Sequence, residues 1–101
     1  MKVSFRQVKS DDVVKKLEYL EDNIPGAYLR YSLRNVPHLV VTVDGATFSV
    51  AYFRGEKFYR IFWPFLGKVQ TRDDRQTPEE VIQYFVEVAN EGVKSYRSSE
   101  G

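Results

Sequence analysis

The stretch Leu39-Val40-Val41-Thr42-Val43-Asp44-Gly45-Ala46-Thr47-Phe48-Ser49-Val50-Ala51-Tyr52-Phe53 decides the fold of this chain. Two runs rich in β-branched and aromatic residues meet at Asp44-Gly45, and this dipeptide between such runs is the strongest short-range signal for a β-hairpin. Further strands are predicted on either side, at residues 28–33 and 58–63. The block 27–66 therefore predicts a three- to four-stranded antiparallel meander.

Helical signals flank this block. Ser10-Asp11-Asp12 predicts a helix N-terminus, because serine caps helices and acidic side chains favour the first turn. Apolar residues then recur on one helical face until Pro25-Gly26 ends the helix. Upstream, Val3 and Phe5 leave a short strand over residues 2–8 open as an alternative.

A second helix is predicted after a polar loop at residues 66–76. Thr77-Pro78-Glu79-Glu80 has the pattern of a capping box with proline in the first turn. This helix is predicted to continue to about Tyr96. Its predicted apolar stripe consists of Val81, Ile82, Phe85, Val88, Ala89, Val93 and Tyr96.

The order helix, meander, helix predicts an α+β fold. We expect a single two-layer domain over residues 1–96, with both helices packed on one sheet face, and a disordered C-terminal tail at 97–101. A chain of 101 residues is long enough for one core.

Composition narrows the classes of function. The chain has no cysteine, which excludes disulfides, thiol nucleophiles and thiolate zinc sites. Its N-terminus has no apolar run of signal-peptide length, so we expect a cytoplasmic protein with no membrane partner. Residues 27–68 carry six basic and two acidic side chains, whereas residues 69–101 carry four basic and seven acidic ones. A basic sheet and an acidic C-terminal segment are therefore predicted.

Strand alternation divides the sheet into two predicted faces. The face predicted to be the core carries Leu29, Tyr31, Leu33, Leu39, Val41, Val43, Phe48, Val50, Tyr52, Ile61 and Trp63. The other face carries Tyr28, Arg30, Arg34, Thr42, Thr47, Ser49, Phe53, Phe58, Arg60 and Phe62. In the fourth strand both alternations are apolar, and Arg60 decides the choice because burying an unpaired charge is costly.

Arginines interleaved with aromatic rings make the second face the candidate functional surface. The predicted binding residues are Tyr28, Arg30, Arg34, Phe53, Phe58, Arg60 and Phe62. An exposed patch of this kind favours a protein partner or self-association. Single-stranded nucleic acid is the alternative, with Arg30, Arg34 and Arg60 on phosphates and Tyr28, Phe53 and Phe62 on bases. Cover from within the chain also remains open.

Signals for catalysis or a cofactor are weak, so we expect a non-enzymatic domain without cofactor or metal. His38 is the only histidine, and no nucleophile or carboxylate lies next to it in sequence. Asp73-Asp74 with Glu79-Glu80 supplies oxygen ligands, but their spacing matches no established metal-binding loop. No glycine-rich phosphate-binding motif is present. An enzyme using His38 and a carboxylate is the third hypothesis.

The order helix, three strands, helix, with Pro37-His38 entering a strand and Asp44-Gly45 turning it, resembles the double-stranded-RNA-binding domain. That family begins its last helix with a lysine cluster that grips phosphates. Here the corresponding helix begins with Thr77-Pro78-Glu79-Glu80, whose acids would repel phosphates. The resemblance therefore implies a similar order of elements, and we do not carry over its function.

Overall fold

A computed structural model describes residues 4–64 and 70–93, with side chains from residue 12 onwards. Its elements are α1 (Ser4–Asn23), β1 (Ala27–Tyr31), β2 (Pro37–Val43), β3 (Ala46–Phe53), β4 (Phe58–Phe62), β5 (Arg72–Arg75) and α2 (Pro78–Glu91). The predicted order of helix, antiparallel sheet and helix is confirmed, with five strands instead of three to four. The predicted tail at 97–101 lies outside the described residues.

The sheet is a meander in which each strand pairs antiparallel with the next, in the order β1-β2-β3-β4-β5. The predicted hairpin at Asp44-Gly45 is present, because Val43 pairs with Ala46 and leaves a two-residue turn. Asp44 and Gly45 have φ angles of 51° and 80°. Two consecutive positive φ angles are what a type I′ turn requires, and Asp-Gly adopts them readily.

The fifth strand corrects the prediction of a polar loop at residues 66–76. Arg72–Arg75 pairs with β4, so that Phe62 lies opposite Arg72 and Tyr59 opposite Arg75. A run of four charged residues with two aspartates has low strand propensity, so the sequence does not predict this strand. Tertiary contacts on both faces compensate, because Asp73 accepts a hydrogen bond from Trp63 Nε1 (3.0 Å) and Asp74 one from Arg60 Nε (2.8 Å).

Helix α1 begins at Ser4, so the predicted N-cap at Ser10 is wrong. The alternative of a strand over residues 2–8 is also wrong where the structure describes them, since residues 4–8 are helical. No glycine or proline interrupts the chain before Pro25, so helix-forming residues extend the helix towards the N-terminus. The predicted end is confirmed, because α1 stops at Asn23 and Gly26 has a φ of 81°.

Strand β1 ends at Tyr31, two residues earlier than predicted. Leu33 was assigned to the core face, yet its side chain is wholly exposed, and Tyr31 is 54% exposed. A tight turn causes the difference. Asn35 has a φ of 61°, and the backbone N–H of Asn35 donates to the carbonyl of Ser32 (2.9 Å).

Helix α2 has the predicted capping box. Thr77 Oγ1 accepts a hydrogen bond from the N–H of Glu80 (3.2 Å), and Glu80 Oε1 accepts one from the N–H of Thr77 (3.2 Å). The helix ends at Glu91, where Gly92 forms the C-cap with a φ of 84°. The part of its predicted continuation from residue 94 to Tyr96 lies outside the described residues. Two residues differ from the predicted apolar stripe. Ala89 was included in the stripe but is exposed, and Tyr84 was left out but is buried.

The core lies between one sheet face, the covered face, and both helices. Its buried residues are Leu17, Leu20, Ile24, Leu39, Val41, Phe48, Val50, Tyr59, Ile61, Trp63, Val81, Tyr84, Phe85 and Val88. Leu29, Val43 and Tyr52 are partly buried against them. The choice made for β4 is confirmed, since Tyr59 and Ile61 point into the core and Arg60 does not.

The outer edge of β1 is closed by a side chain of α1. The backbone N–H of Leu29 points away from β2 and donates to Glu21 Oε2 at 2.9 Å. Next to it, the N–H of Ala27 donates to the carbonyl of Ile24 at 3.2 Å. These bonds satisfy backbone groups that an edge strand would otherwise offer to another strand.

Candidate functional site

The sheet face opposite the helices, called the open face, is arranged in rows across the strands. One row runs Arg30, His38, Ala51, Arg60 and Asp74, because Arg30 pairs with His38, Ala51 with Arg60, and Arg60 with Asp74. A parallel row runs Tyr28, Val40, Ser49, Phe62 and Arg72. Along the strands, the pair Thr42 and Thr47 lies beyond the second row, and the pair Phe53 and Phe58 lies beyond the first. The described side chains of α1 and α2 pack on the other face.

Large and small side chains are unevenly distributed over the open face. Strands β1 and β4 carry aromatic rings and arginines on this face, whereas Ser49 and Ala51 of the intervening strand β3 are small. Val40 of β2 is 9% exposed. We call the strip over Val40, Ser49 and Ala51, with larger side chains on either side, the trough.

One wall of the trough is a packed cluster around Arg60. The rings of Phe53 and Phe58 stack with centroids 5.0 Å apart and planes 3° apart. Arg60 Cζ lies 5.2 Å from the centroid of Phe53 and 5.0 Å from that of Phe58. Arg60 Nε and Nη2 donate to the two carboxylate oxygens of Asp74 at 2.8 and 3.0 Å. The guanidinium is thereby held in one orientation by stacking and a bidentate ion pair.

The pKa values of this pair follow from the hydrogen bonds. The hydrogen bond from Arg60 lowers the pKa of Asp74, and Arg72 and Arg75 lower it further. The same bond raises the pKa of Arg60, with a smaller contribution from Glu56. Both side chains are partly exposed, at 26% for Arg60 and 48% for Asp74, so solvent screens the interaction. The pair fixes geometry more than it stabilises the fold.

The other wall carries Tyr28 and Arg30. Arg30 Cζ lies 5.6 Å from the ring centroid of Tyr28, and both side chains are exposed. The structure shows no carboxylate paired with Arg30 among the described residues. Arg30 thus presents an uncompensated positive charge beside an aromatic ring.

Most of the predicted binding residues come together on the open face. Tyr28, Arg30, Phe53, Phe58, Arg60 and Phe62 lie there, and Arg34 does not, because it belongs to the turn after β1. Sequence reasoning missed His38 and Arg72. Two-residue alternation backwards from Val40 would have placed His38, but Arg72 depended on recognising β5.

The residues considered for catalysis or metal binding are separated by the fold. Asp73 and Asp74 point to opposite sheet faces, where Trp63 and Arg60 respectively engage them. Glu80 serves the capping box, and its bonds to the N–H groups of Gln76 and Thr77 lower its pKa. The described part of the chain contains no group of three or more potential metal-ligating His, Asp or Glu side chains.

No family model, no curated protein and no solved structure matches the chain. In the ranges 4–64 and 70–93, no helix has the length and hydrophobicity needed to cross a bilayer.

Proposed function

We propose that this protein is a non-enzymatic interaction domain whose open face binds a segment of a partner protein that carries acidic and apolar side chains. The row of Arg30, His38 and Arg60 is the observation that carries the proposal. It places Arg30, His38 and Arg60 across one sheet surface, where the only acid in the row, Asp74, is already bonded to Arg60 and Arg30 keeps an uncompensated charge. Such a surface attracts acidic partners and repels basic ones.

The shape of the open face supports a helical partner segment. Neighbouring strands are about 4.8 Å apart, which places β1 and β4 about 14 Å from each other. A helix with its side chains is about 10–12 Å wide and fits between these walls. Apolar residues of that helix would contact Val40 and Phe62, and its acidic residues would reach Arg30.

Contacts within the protein make single-stranded nucleic acid the weaker candidate. Phe53 was expected to stack on a base, but its ring stacks on Phe58 and lies beneath Arg60. Arg60 was expected to bind a phosphate, but its fork of donors is bonded to Asp74. Binding a nucleotide at either position would first have to disrupt these contacts.

A crosslinking experiment tests the proposal. A photo-crosslinking amino acid at Thr47, on the open face, should capture a partner from a lysate of the source cells, whereas one at Gln83, on the outer side of α2, should not. Arg30→Gln should weaken capture at Thr47, because it removes the uncompensated charge. Arg34→Gln is the matched control and should leave capture unchanged, since Arg34 lies beyond the strand.

Three outcomes would contradict the proposal. Equal capture from Thr47 and Gln83 would mean that the open face is not selective. A mass in light scattering that doubles at high concentration, and returns to one chain in Arg30→Gln, would identify a second copy as the partner. Micromolar binding of labelled single-stranded DNA or RNA that weakens steeply with salt and requires Arg30 would favour nucleic acid instead.

A further inference from the structure

A cleft on the helix side of the molecule, remote from the open face, is lined by side chains of three elements. It has a volume of about 500 Å³ and lies between α1 and the start of α2, with Tyr59 of β4 in its lining. Lys16 and Tyr19 line it from α1, and Glu79 lines it from α2. The cleft is open to solvent over much of its extent, and its volume lies in the range of sites for small organic molecules.

The hydroxyl of Tyr59 is a donor that opens into this cleft. The side chain is 2% exposed, and its hydroxyl has no hydrogen-bond partner among the described residues. Tyr59 lines the cleft, and the described residues include no side-chain donor or acceptor that is both sealed from solvent and unpaired. Burial, together with Tyr52 and Glu79, raises the pKa of Tyr59 to about 12, so the group keeps its proton at neutral pH.

Lys16 brings a positive charge to the same cleft. Its ammonium lies 5.2 Å from the ring centroid of Tyr52, and within residues 12–64 and 70–93 it has no hydrogen bond or ion pair. An ammonium and a phenolic hydroxyl with unused hydrogens form a site for a carboxylate oxygen.

Carboxylates of the protein lie in the same cleft. Glu79 is held there by Tyr19, whose hydroxyl donates to Glu79 Oε2 at 3.3 Å. Asp12 lines the cleft one helical turn before Lys16. Because these acids repel a simple anion and attract an ammonium group, the cleft offers both signs of charge to one ligand.

We propose that the cleft binds a small zwitterion of the size of a free amino acid, with its carboxylate on Lys16 and Tyr59 and its ammonium group on Glu79. This site is independent of the open face and of any protein partner there. The donors and the acceptor lie on different elements, so binding would also bridge α1, β4 and α2.

Calorimetric titration of the full chain with the standard L-amino acids, one at a time at millimolar concentration, tests the proposal. At least one should bind, and its N-acetyl and amide derivatives, each of which lacks one charge, should bind about tenfold more weakly or not at all. Lys16→Gln and Tyr59→Phe should each weaken binding about tenfold. Lys57→Gln, in the turn after β3, is the matched control and should have no effect.

The proposal is overturned if no amino acid binds, or if the N-acetyl derivative binds as well as its parent, which would indicate a site for anions alone. It is also overturned if Lys16→Gln and Tyr59→Phe bind like the wild type, since the ligand would then lie elsewhere. Tyr59→Phe removes a single oxygen atom, and its thermal unfolding, followed by circular dichroism, checks that the fold survives.

Discussion

At the scale of single residues, the half-buried Asp73 connects the polar strand β5 to one end of the core. Its Oδ2 accepts hydrogen bonds from Trp63 Nε1 and from the hydroxyl of Tyr84, and both of those side chains are almost completely buried. Trp63 Nε1 also donates to the Tyr84 hydroxyl. A carboxylate from a polar strand thus accepts hydrogen bonds from two donors of the core.

Asp73→Ala should lower the free energy of unfolding by about 1–3 kcal/mol, because it removes a carboxylate that accepts hydrogen bonds from two buried side chains. Asp73→Asn keeps a carbonyl oxygen in place and should lower it less. Urea unfolding followed by the fluorescence of Trp63, the only tryptophan, measures both. An alanine variant as stable as the wild type would mean that the cluster contributes nothing to the fold.

Tyr59 should make stability depend on pH in the alkaline range. Its pKa is about 12 in the folded protein and 10.0 in an unperturbed tyrosine, so the unfolded chain loses this proton first. The contribution is fully present below pH 10 and is lost as pH rises towards 12. We expect Tyr59→Phe to lose less stability than the wild type as the pH rises from 10.0 to about 12. Parallel losses in the two proteins would show that Tyr59 titrates normally.

At the scale of secondary-structure elements, the two sheet edges are protected by different means. β5 is short and consists of two aspartates flanked by two arginines, which discourages pairing with another apolar strand. β1 has aromatic and apolar residues, and its outward Leu29 N–H is bonded by Glu21 of α1. The protection of the edge at Leu29 therefore depends on one carboxylate.

Glu21→Ala should promote self-association through β1, because the freed N–H of Leu29 can pair with a strand from a second chain. Analytical ultracentrifugation over a range of concentrations should show a higher average mass than for the wild type. Glu18→Ala, an exposed position one turn earlier on α1, is the matched control and should remain unchanged. Identical masses for the two variants would show that Glu21 does not guard the edge.

The elements also show what could be predicted from the sequence. Asp44-Gly45 and Thr77-Pro78-Glu79-Glu80 were predicted correctly, because short-range chemistry fixes a type I′ turn and a capping box. β5 was missed because its stability comes from Trp63 and Arg60 across the sheet and not from its own residues. Leu33 was wrongly assigned to the core face, because the two-residue alternation in the sequence extends beyond Tyr31, where a turn ends the strand.

For the candidate site, the sequence predicted which face its residues share but not the contacts that they make. Alternation and the charge of Arg60 were enough to place six of its residues on the open face. The stacking of Phe53 on Phe58 and the ion pair of Arg60 with Asp74 depend on the orientation of side chains, and alternation alone does not determine it. These contacts change which partners the face can bind.

At the scale of the whole molecule, the assignment of the two sheet faces rests on which side the helices cover. Phe85→Ala should lower the free energy of unfolding by about 3–5 kcal/mol, since Phe85 is 3% exposed and packs edge-on against Phe48. Its neighbour Val86 is 44% exposed, and Val86→Ala should change stability by no more than about 0.5 kcal/mol. Similar values in urea unfolding would mean that α2 presents another side to the sheet.

The meander topology has a consequence for how fast the protein acquires its structure. Every strand pairs with its neighbour along the chain, so most sheet contacts join residues close in sequence and need only short loops to close. The contact between Tyr19 of α1 and Glu79 of α2 instead joins residues 60 positions apart. Closing that long loop has a higher entropic cost. We therefore expect the hairpins to form early. The two helices should come into contact on the covered face of the sheet in the last step.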